Sequence, residues 1–94
     1  MDWLFLDPPS VAVITTKEIV AGPAWIAYVT HDEDDGAWQF FGLSGPGTKE
    51  DAMVVSLQSI VERDESINQL ADLPLGWHAW RENQADHWKR GAGA

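Results

Sequence analysis

The sequence predicts an α+β fold: a mostly antiparallel sheet of about five strands with two short helices on one face. Two observations lead to this prediction. Runs rich in β-branched and aromatic residues, each of strand length, recur along the chain between turn-forming segments. The elements follow the order strand, short helix, hairpin, strand, helix pair and strand, which favours antiparallel pairing with the helices on one face.

A β-hairpin is predicted over residues 25–42. Its two strands, residues 25–29 and 37–41, are W-I-A-Y-V and A-W-Q-F-F, and both have β-strand composition. The segment between them, residues 31–36, is H-D-E-D-D-G. Aspartate tolerates unusual backbone angles and glycine supplies positive φ, so this segment has turn composition. Neither strand alternates strictly between apolar and polar residues, so we expect both faces to be partly covered, one of them by helices.

The remaining elements are weaker in pattern but can be placed. Residues 16–21 are predicted to form one or two helical turns, which Gly22 and Pro23 end. The Gly- and Pro-rich residues 43–51 are predicted to be a flexible loop. Further strands are predicted at residues 10–16, 52–55 and 75–81, and an initial strand or arm at residues 2–6.

Two consecutive short helices are predicted before the last strand. Ser56 is a candidate N-cap for residues 57–63, and Asp64 is a candidate N-cap for a second helix that reaches residue 71. Apolar residues repeat at i, i+3 and i+4 in both segments, which gives each helix one apolar face. Pro74 ends the second helix.

The length of 94 residues predicts one domain over residues 1–90, followed by a disordered tail, G-A-G-A, at residues 91–94. The absence of cysteine excludes disulfides, thiolate metal sites and thiol catalysis. The first residues, M-D-W-L-F-L-D, lack the basic start and long apolar core of a signal peptide, and no apolar run is long enough to span a membrane. We therefore expect a cytoplasmic protein.

The charge is strongly acidic. Fifteen Asp and Glu residues against six Lys and Arg give a formal net charge of −9. A nucleic-acid backbone and an anionic membrane both need a basic surface, so neither is an expected partner. The charge favours a basic protein partner, because opposite charge accelerates association. Solubility alone is the other explanation of such a charge.

No catalytic, metal-binding or cofactor-binding set is evident. The three histidines have no metal-ligand spacing, and no serine lies in a nucleophile elbow. The segment from Asp32 to Gly36 matches part of the EF-hand spacing, but position 43, which would need Glu, is Leu. The loop at residues 43–51 lacks the G-K-S/T ending of a phosphate-binding loop. We therefore predict a protein that is not an enzyme and has no metal and no cofactor.

The acidic turn is the predicted contact site. Asp32, Glu33, Asp34 and Asp35 form a dense patch of carboxylates for a basic protein, and Trp38 is a possible anchor. Two alternatives remain open: a small ligand-binding or enzymatic domain with an aromatic-lined pocket and an acid, and an oligomerising structural module. We expect a monomer or a weak homodimer.

Several segments resemble a bacterial family that was first catalogued as a domain of unknown function and later named immunity-protein family thirty-three. They are V-I-T-T-K at residues 13–17, D-G-A-W-Q-F-F at 35–41, D-E-S-I at 64–67 and L-A-D-L-P-L-G at 70–76. The resemblance spans residues 11–82, and the chain departs from it in having Glu65 where the family has Pro, Gly36 and Ala37 before Trp38, and a shorter loop after Phe41. It implies that the protein neutralises a toxin, and it supplies no catalytic residues.

Overall fold

The architecture comes from a computed structural model, which describes residues 3–93. These residues form an α+β fold, as predicted. None of their helices combines the length and the hydropathy that a membrane crossing requires. The elements in chain order are strand β1 (Ala12–Thr16), helix α1 (Lys17–Val20), strands β2 (Tyr28–His31) and β3 (Trp38–Phe41), a 3₁₀ helix (Lys49–Asp51), strand β4 (Ala52–Ser56), helix α2 (Leu57–Arg63), a second 3₁₀ helix (Glu65–Leu70), and strands β5 (Trp77–Trp80) and β6 (Lys89–Ala92).

The strands form one six-stranded sheet in the order β4-β1-β3-β2-β5-β6. The predicted hairpin is present, but its first strand is residues 28–31 rather than the predicted 25–29, with Tyr28 of β2 opposite Phe41 of β3 and His31 opposite Trp38. Strand β5 pairs with the other side of β2, which places Trp77 opposite His31. This pairing brings the start of β5 beside the acidic turn, although the two are far apart in the sequence.

One pair of neighbouring strands is parallel. β1 runs parallel to β3, with Ile14 opposite Gln39, whereas the other neighbouring strands are antiparallel. A parallel pair needs a long connection, and here helix α1 and strand β2 lie between the two strands in the chain. β4 then pairs antiparallel with β1 and forms an edge of the sheet. The sheet is therefore mostly antiparallel, as predicted.

The C-terminal segment corrects two predictions, the strand count of about five and the disordered tail at residues 91–94. Gly91 and Ala92 belong to β6, and Gly91 lies opposite His78 of β5. A Cβ atom at position 91 would lie 3.5 Å from Trp80 Cζ3 and 3.6 Å from His78 Nε2, so both rings lie over this glycine. The segment has neither β-branched residues nor alternation, so the strand depends on tertiary pairing. Ala94 lies outside the described residues.

Both predicted N-caps are present. Ser56 Oγ accepts a hydrogen bond from Ser59 N at 3.1 Å, and Asp64 Oδ1 accepts one from Ser66 N at 3.0 Å. These bonds satisfy backbone donors that the first turn of each helix leaves free. The segment after Asp64 is a 3₁₀ helix rather than the α-helix that its apolar spacing predicted.

One face of the sheet carries the core. Buried apolar residues of the strands and helices form one cluster there: Val13, Ile19, Val29, Trp38, Phe40, Leu57, Ile60, Val61, Ile67, Leu70 and Ala79, joined by Phe5, Ile26 and Leu73. Helix α1, helix α2 and the second 3₁₀ helix each contribute residues to this cluster. The strand residues that alternate with the core residues point to the other face, which we call the open face: Ile14, Tyr28, Thr30, Gln39, Phe41, Val54, His78, Trp80 and Lys89.

The segment before β1 is an arm rather than a strand. Phe5 is buried in the core, and its ring meets the Trp38 ring edge to face at a centroid distance of 5.3 Å. Trp38 Nε1 donates a hydrogen bond to Asp7 Oδ2 at 2.7 Å. The arm therefore covers the start of β3 with both an aromatic contact and a polar one. The predicted strand or arm began at Asp2, which lies outside the described residues.

Candidate interaction site

The acidic turn links β2 to β3 and is built from three local hydrogen bonds. Asp32 N donates to Ala37 O at 2.8 Å, and Gly36 N donates to Asp32 O at 2.9 Å. Ala37 N donates to Asp35 Oδ1 at 2.9 Å, so one carboxylate also holds the turn. Gly36 has a φ of 73°, a conformation that favours glycine. The turn is therefore a defined structure rather than a loose connection.

The four carboxylates of the turn have different surroundings. Asp32 is half-buried, and its Oδ2 accepts a hydrogen bond from Gln39 Nε2 at 2.6 Å. Glu33, Asp34 and Asp35 are exposed. One carboxylate is thus held against the sheet, and three face solvent. The four predicted contact residues therefore form one patch that is mostly exposed.

The charge of this patch is not neutralised by the described part of the chain. The two ion pairs within residues 3–93 join Arg81 to Asp64 and Arg90 to Asp72, and neither involves the turn. No group of three or more potential ligands in the same residues could hold a metal ion. Neighbouring carboxylates without a cation repel one another, so a cationic group that approaches the turn is attracted by several charges at once.

A cavity of about 320 Å³ lies beside the turn. Its lining combines residues 32–35 of the turn with Thr30 and His31 of β2 and with residues 76–78 at the start of β5. His31 stacks on Trp38 with ring centroids 3.8 Å apart, and its Nδ1 donates to Leu73 O at 2.7 Å. The imidazole is therefore held in place on two sides.

Trp38, the predicted anchor, lies in the core. Its side chain is 2% exposed, and it packs between the ring of His31 and the ring of Phe5. An indole in this position supports the base of the turn and offers almost no surface to a partner. We therefore base the interaction site on the four acidic residues alone.

Sequence reasoning did not select Thr30, Gly76, Trp77 or His78 as part of the site. They reach it because β5 pairs with β2, and no local pattern specifies which strand becomes the neighbour of a hairpin. Gly76 has a φ of 81°, and a Cβ there would come within 3.2 Å of Glu33 Oε2. The P-L-G segment before β5 indicates a turn, and it is the one sequence signal for this part of the site.

Comparison of the chain with protein-family models, with curated proteins and with solved structures finds no match. The resemblance to immunity-protein family thirty-three therefore stays a prediction.

Proposed function

We propose that this chain is a non-enzymatic binding protein that neutralises a basic protein partner, of the toxin-antagonist type, by covering its surface. The observation that carries the proposal is the acidic turn, where Glu33, Asp34 and Asp35 are exposed and no cation of the described residues pairs with them. The net charge of −9 and the resemblance to an immunity-protein family support it.

The geometry suits binding by charge complementarity. The backbone of the turn is held by hydrogen bonds, and the side chains of Asp32 and Asp35 accept hydrogen bonds, so these parts lose little conformational freedom when a partner binds. Exposed charges act mainly on the rate of association, since they steer the partner before contact. A basic protein would meet the turn first, and the chain would then block the surface that it covers.

The test is a comparative capture from a lysate of the native host. The baits are the wild-type chain and a turn variant that carries Asp32→Asn, Glu33→Gln, Asp34→Asn and Asp35→Asn. We expect a basic protein, identified by mass spectrometry, to be retained by the wild type and lost from the turn variant, because the variant removes the charges that attract it.

The matched control removes the same number of charges elsewhere. It changes four exposed glutamates to Gln: Glu18, Glu50, Glu62 and Glu82. None of their side chains forms a hydrogen bond or an ion pair within residues 3–93. If the partner binds the control and not the turn variant, the position of the charge matters. The proposal is wrong if every retained protein binds both variants equally, or if the wild type retains no basic protein.

A second candidate function is a small-ligand site in the cavity beside the turn. The observation that favours it is that Trp77, His78 and the turn carboxylates line one space of about 320 Å³, a volume suited to a small molecule. An NMR screen of small molecules tests this candidate. Saturable shifts that cluster at Thr30, Trp77 and His78 would support a ligand site, and a screen without such shifts would reject it.

A further inference from the structure

The open face of the sheet carries a row of aromatic side chains. Phe41, Tyr28, Trp80 and Lys89 lie directly opposite one another across β3, β2, β5 and β6. Tyr28 stacks on His78 of the next row, with ring centroids 5.8 Å apart. Tyr28, His78 and Trp80 are half-buried and lie outside the core cluster, whereas Phe41 is buried. This side of the sheet thus presents apolar and aromatic surface to solvent.

The aromatic row continues into a groove of about 350 Å³. Tyr28 and Trp80 line the groove together with Leu43 and Pro46 from the loop after β3. Leu43 is 70% exposed, so its side chain can contact a partner. The groove is large enough to hold an apolar side chain of a partner, and its lining is largely apolar.

The two ends of the open face differ in charge. Asp32 and the rest of the turn stand at the end of β2, beyond Thr30 and His78. At the other end, Lys89 follows Trp80 in the aromatic row, next to the groove. A basic group of a partner is therefore attracted to the turn end, whereas the groove end offers mainly apolar surface, so the face is complementary to a segment with a basic end and an apolar end.

We propose that the open face docks an extended segment of a basic protein partner, with an Arg or Lys side chain at the turn and an apolar side chain in the groove. The proposal rests on the proposed function and names the chemistry of its partner. Tyr28, at the groove, and Asp32, at the turn, are four residues apart along β2, a distance of about 13 Å in a strand. An extended partner segment has the same rise, so its basic and apolar residues lie at positions i and i+4, on one side of the segment.

The test is an NMR titration of the ¹⁵N-labelled full chain with defined peptides. The matching probe is the acetylated, amidated peptide Gly-Arg-Ser-Gly-Ser-Leu-Gly, in which Arg and Leu stand at i and i+4. The control peptide, Gly-Ser-Gly-Arg-Leu-Ser-Gly, has the same composition with the two residues adjacent. We expect the matching peptide to shift the resonances of residues 32–35 together with those of Tyr28, Leu43 and Trp80, and the control peptide to shift only those of the turn.

Two surface variants separate the contacts without disturbing the core. Leu43→Ser removes an exposed apolar side chain from the groove. We expect it to lower the affinity for the matching peptide about fivefold and to leave the affinity for the control peptide unchanged. Leu6→Ser is the control, because Leu6 is fully exposed on the N-terminal arm, and we expect it to change neither affinity.

The outcomes distinguish this inference from the proposed function. Equal binding of the two peptides, with shifts confined to the turn, would overturn the docking of an extended segment and leave the acidic contact in place. The absence of any shift at the turn would contradict both. Concentration-dependent shifts without peptide would assign the open face to a second copy of the chain, and shifts with maltotriose alone would assign it to a glycan; each of these results would overturn the inference.

Discussion

At the residue scale, Arg81 is the most heavily bonded side chain of the described core. Its Nε donates to Ile26 O at 2.9 Å, its Nη1 donates to Ser66 Oγ at 2.9 Å, and its Nη2 pairs with Asp64. The guanidinium also lies 4.2 Å from the centre of the Trp88 ring. Arg81 is 3% exposed, so one residue joins the end of β5 to the N-cap of the second 3₁₀ helix.

We predict that Arg81→Met lowers the free energy of unfolding by about 3 kcal/mol. The substitution keeps the apolar bulk but leaves the carboxylate of Asp64, which is 17% exposed, without its cation. It also removes the hydrogen bond to the carbonyl of Ile26. Urea denaturation at neutral pH measures the change.

Arg90→Met is the matched control for that prediction. Arg90 pairs with Asp72 at 3.1 Å, but the two side chains are 33% and 83% exposed, so solvent screens their attraction. We expect a loss of about 0.5 kcal/mol. If the two arginine variants lose the same free energy of unfolding, the buried contacts of Arg81 contribute no more to stability than the exposed pair of Arg90.

Asp51 is predicted to make stability depend on pH in the acid range. Thr48 N and Thr48 Oγ1 donate to Asp51 Oδ2 at 3.0 and 3.1 Å, and these bonds, with a smaller attraction from Lys17, hold the pKa of the Asp51 carboxyl below its usual 3.8. Because the pKa is lower in the folded state, ionised Asp51 stabilises the fold above pH 3.8, and this contribution is lost as the pH falls through the folded pKa. Urea denaturation of the wild type and Asp51→Asn should therefore show a stability difference that shrinks with acidification; a constant difference would contradict the assignment.

At the element scale, β6 is the strand that the sequence did not predict. Gly91 is the residue over which the rings of Trp80 and His78 lie, and a Cβ there would already be in van der Waals contact with both. We predict that Gly91→Val displaces these rings and lowers the hydrogen-exchange protection of the amides in β6 that pair with β5. Exchange measured by NMR on the folded protein tests this expectation.

The matched control is Ala92→Val, at the next position of the same strand. Ala92 is exposed, and its side chain points to the opposite side of the sheet from Gly91. The control should keep the protection of β6, because valine suits a strand. Unprotected β6 amides in the wild-type protein would restore the disordered tail that the sequence predicted.

At the scale of the whole molecule, the sequence predicted the parts better than their arrangement. The fold class, the hairpin with its acidic turn, and the caps at Ser56 and Asp64 could be predicted, because each depends on local chemistry. The parallel pairing of β1 with β3, and β6 itself, depend on which strand edges are free after the hairpin forms. No local pattern contains that information.

The same division applies to the candidate site. The carboxylates of Asp32 to Asp35 could be selected from composition, whereas the cavity beside them needs the β2–β5 register that brings Trp77 opposite His31. The apolar neighbours of Trp38 favour core packing, in agreement with its burial, but a strand with aromatic residues on both faces does not reveal which face the helices cover. Charge is thus easier to predict than the shape that surrounds it.

The most direct test of the central claim is the association rate of the wild-type chain with its captured partner, measured as a function of salt. We expect a rate that falls steeply with added salt for the wild type and for the variant of Glu18, Glu50, Glu62 and Glu82, because exposed charges steer the encounter. The variant of residues 32–35 should associate at least about tenfold more slowly at low salt and respond little to salt. The same rate and the same salt dependence in all three proteins would show that the acidic turn does not guide binding.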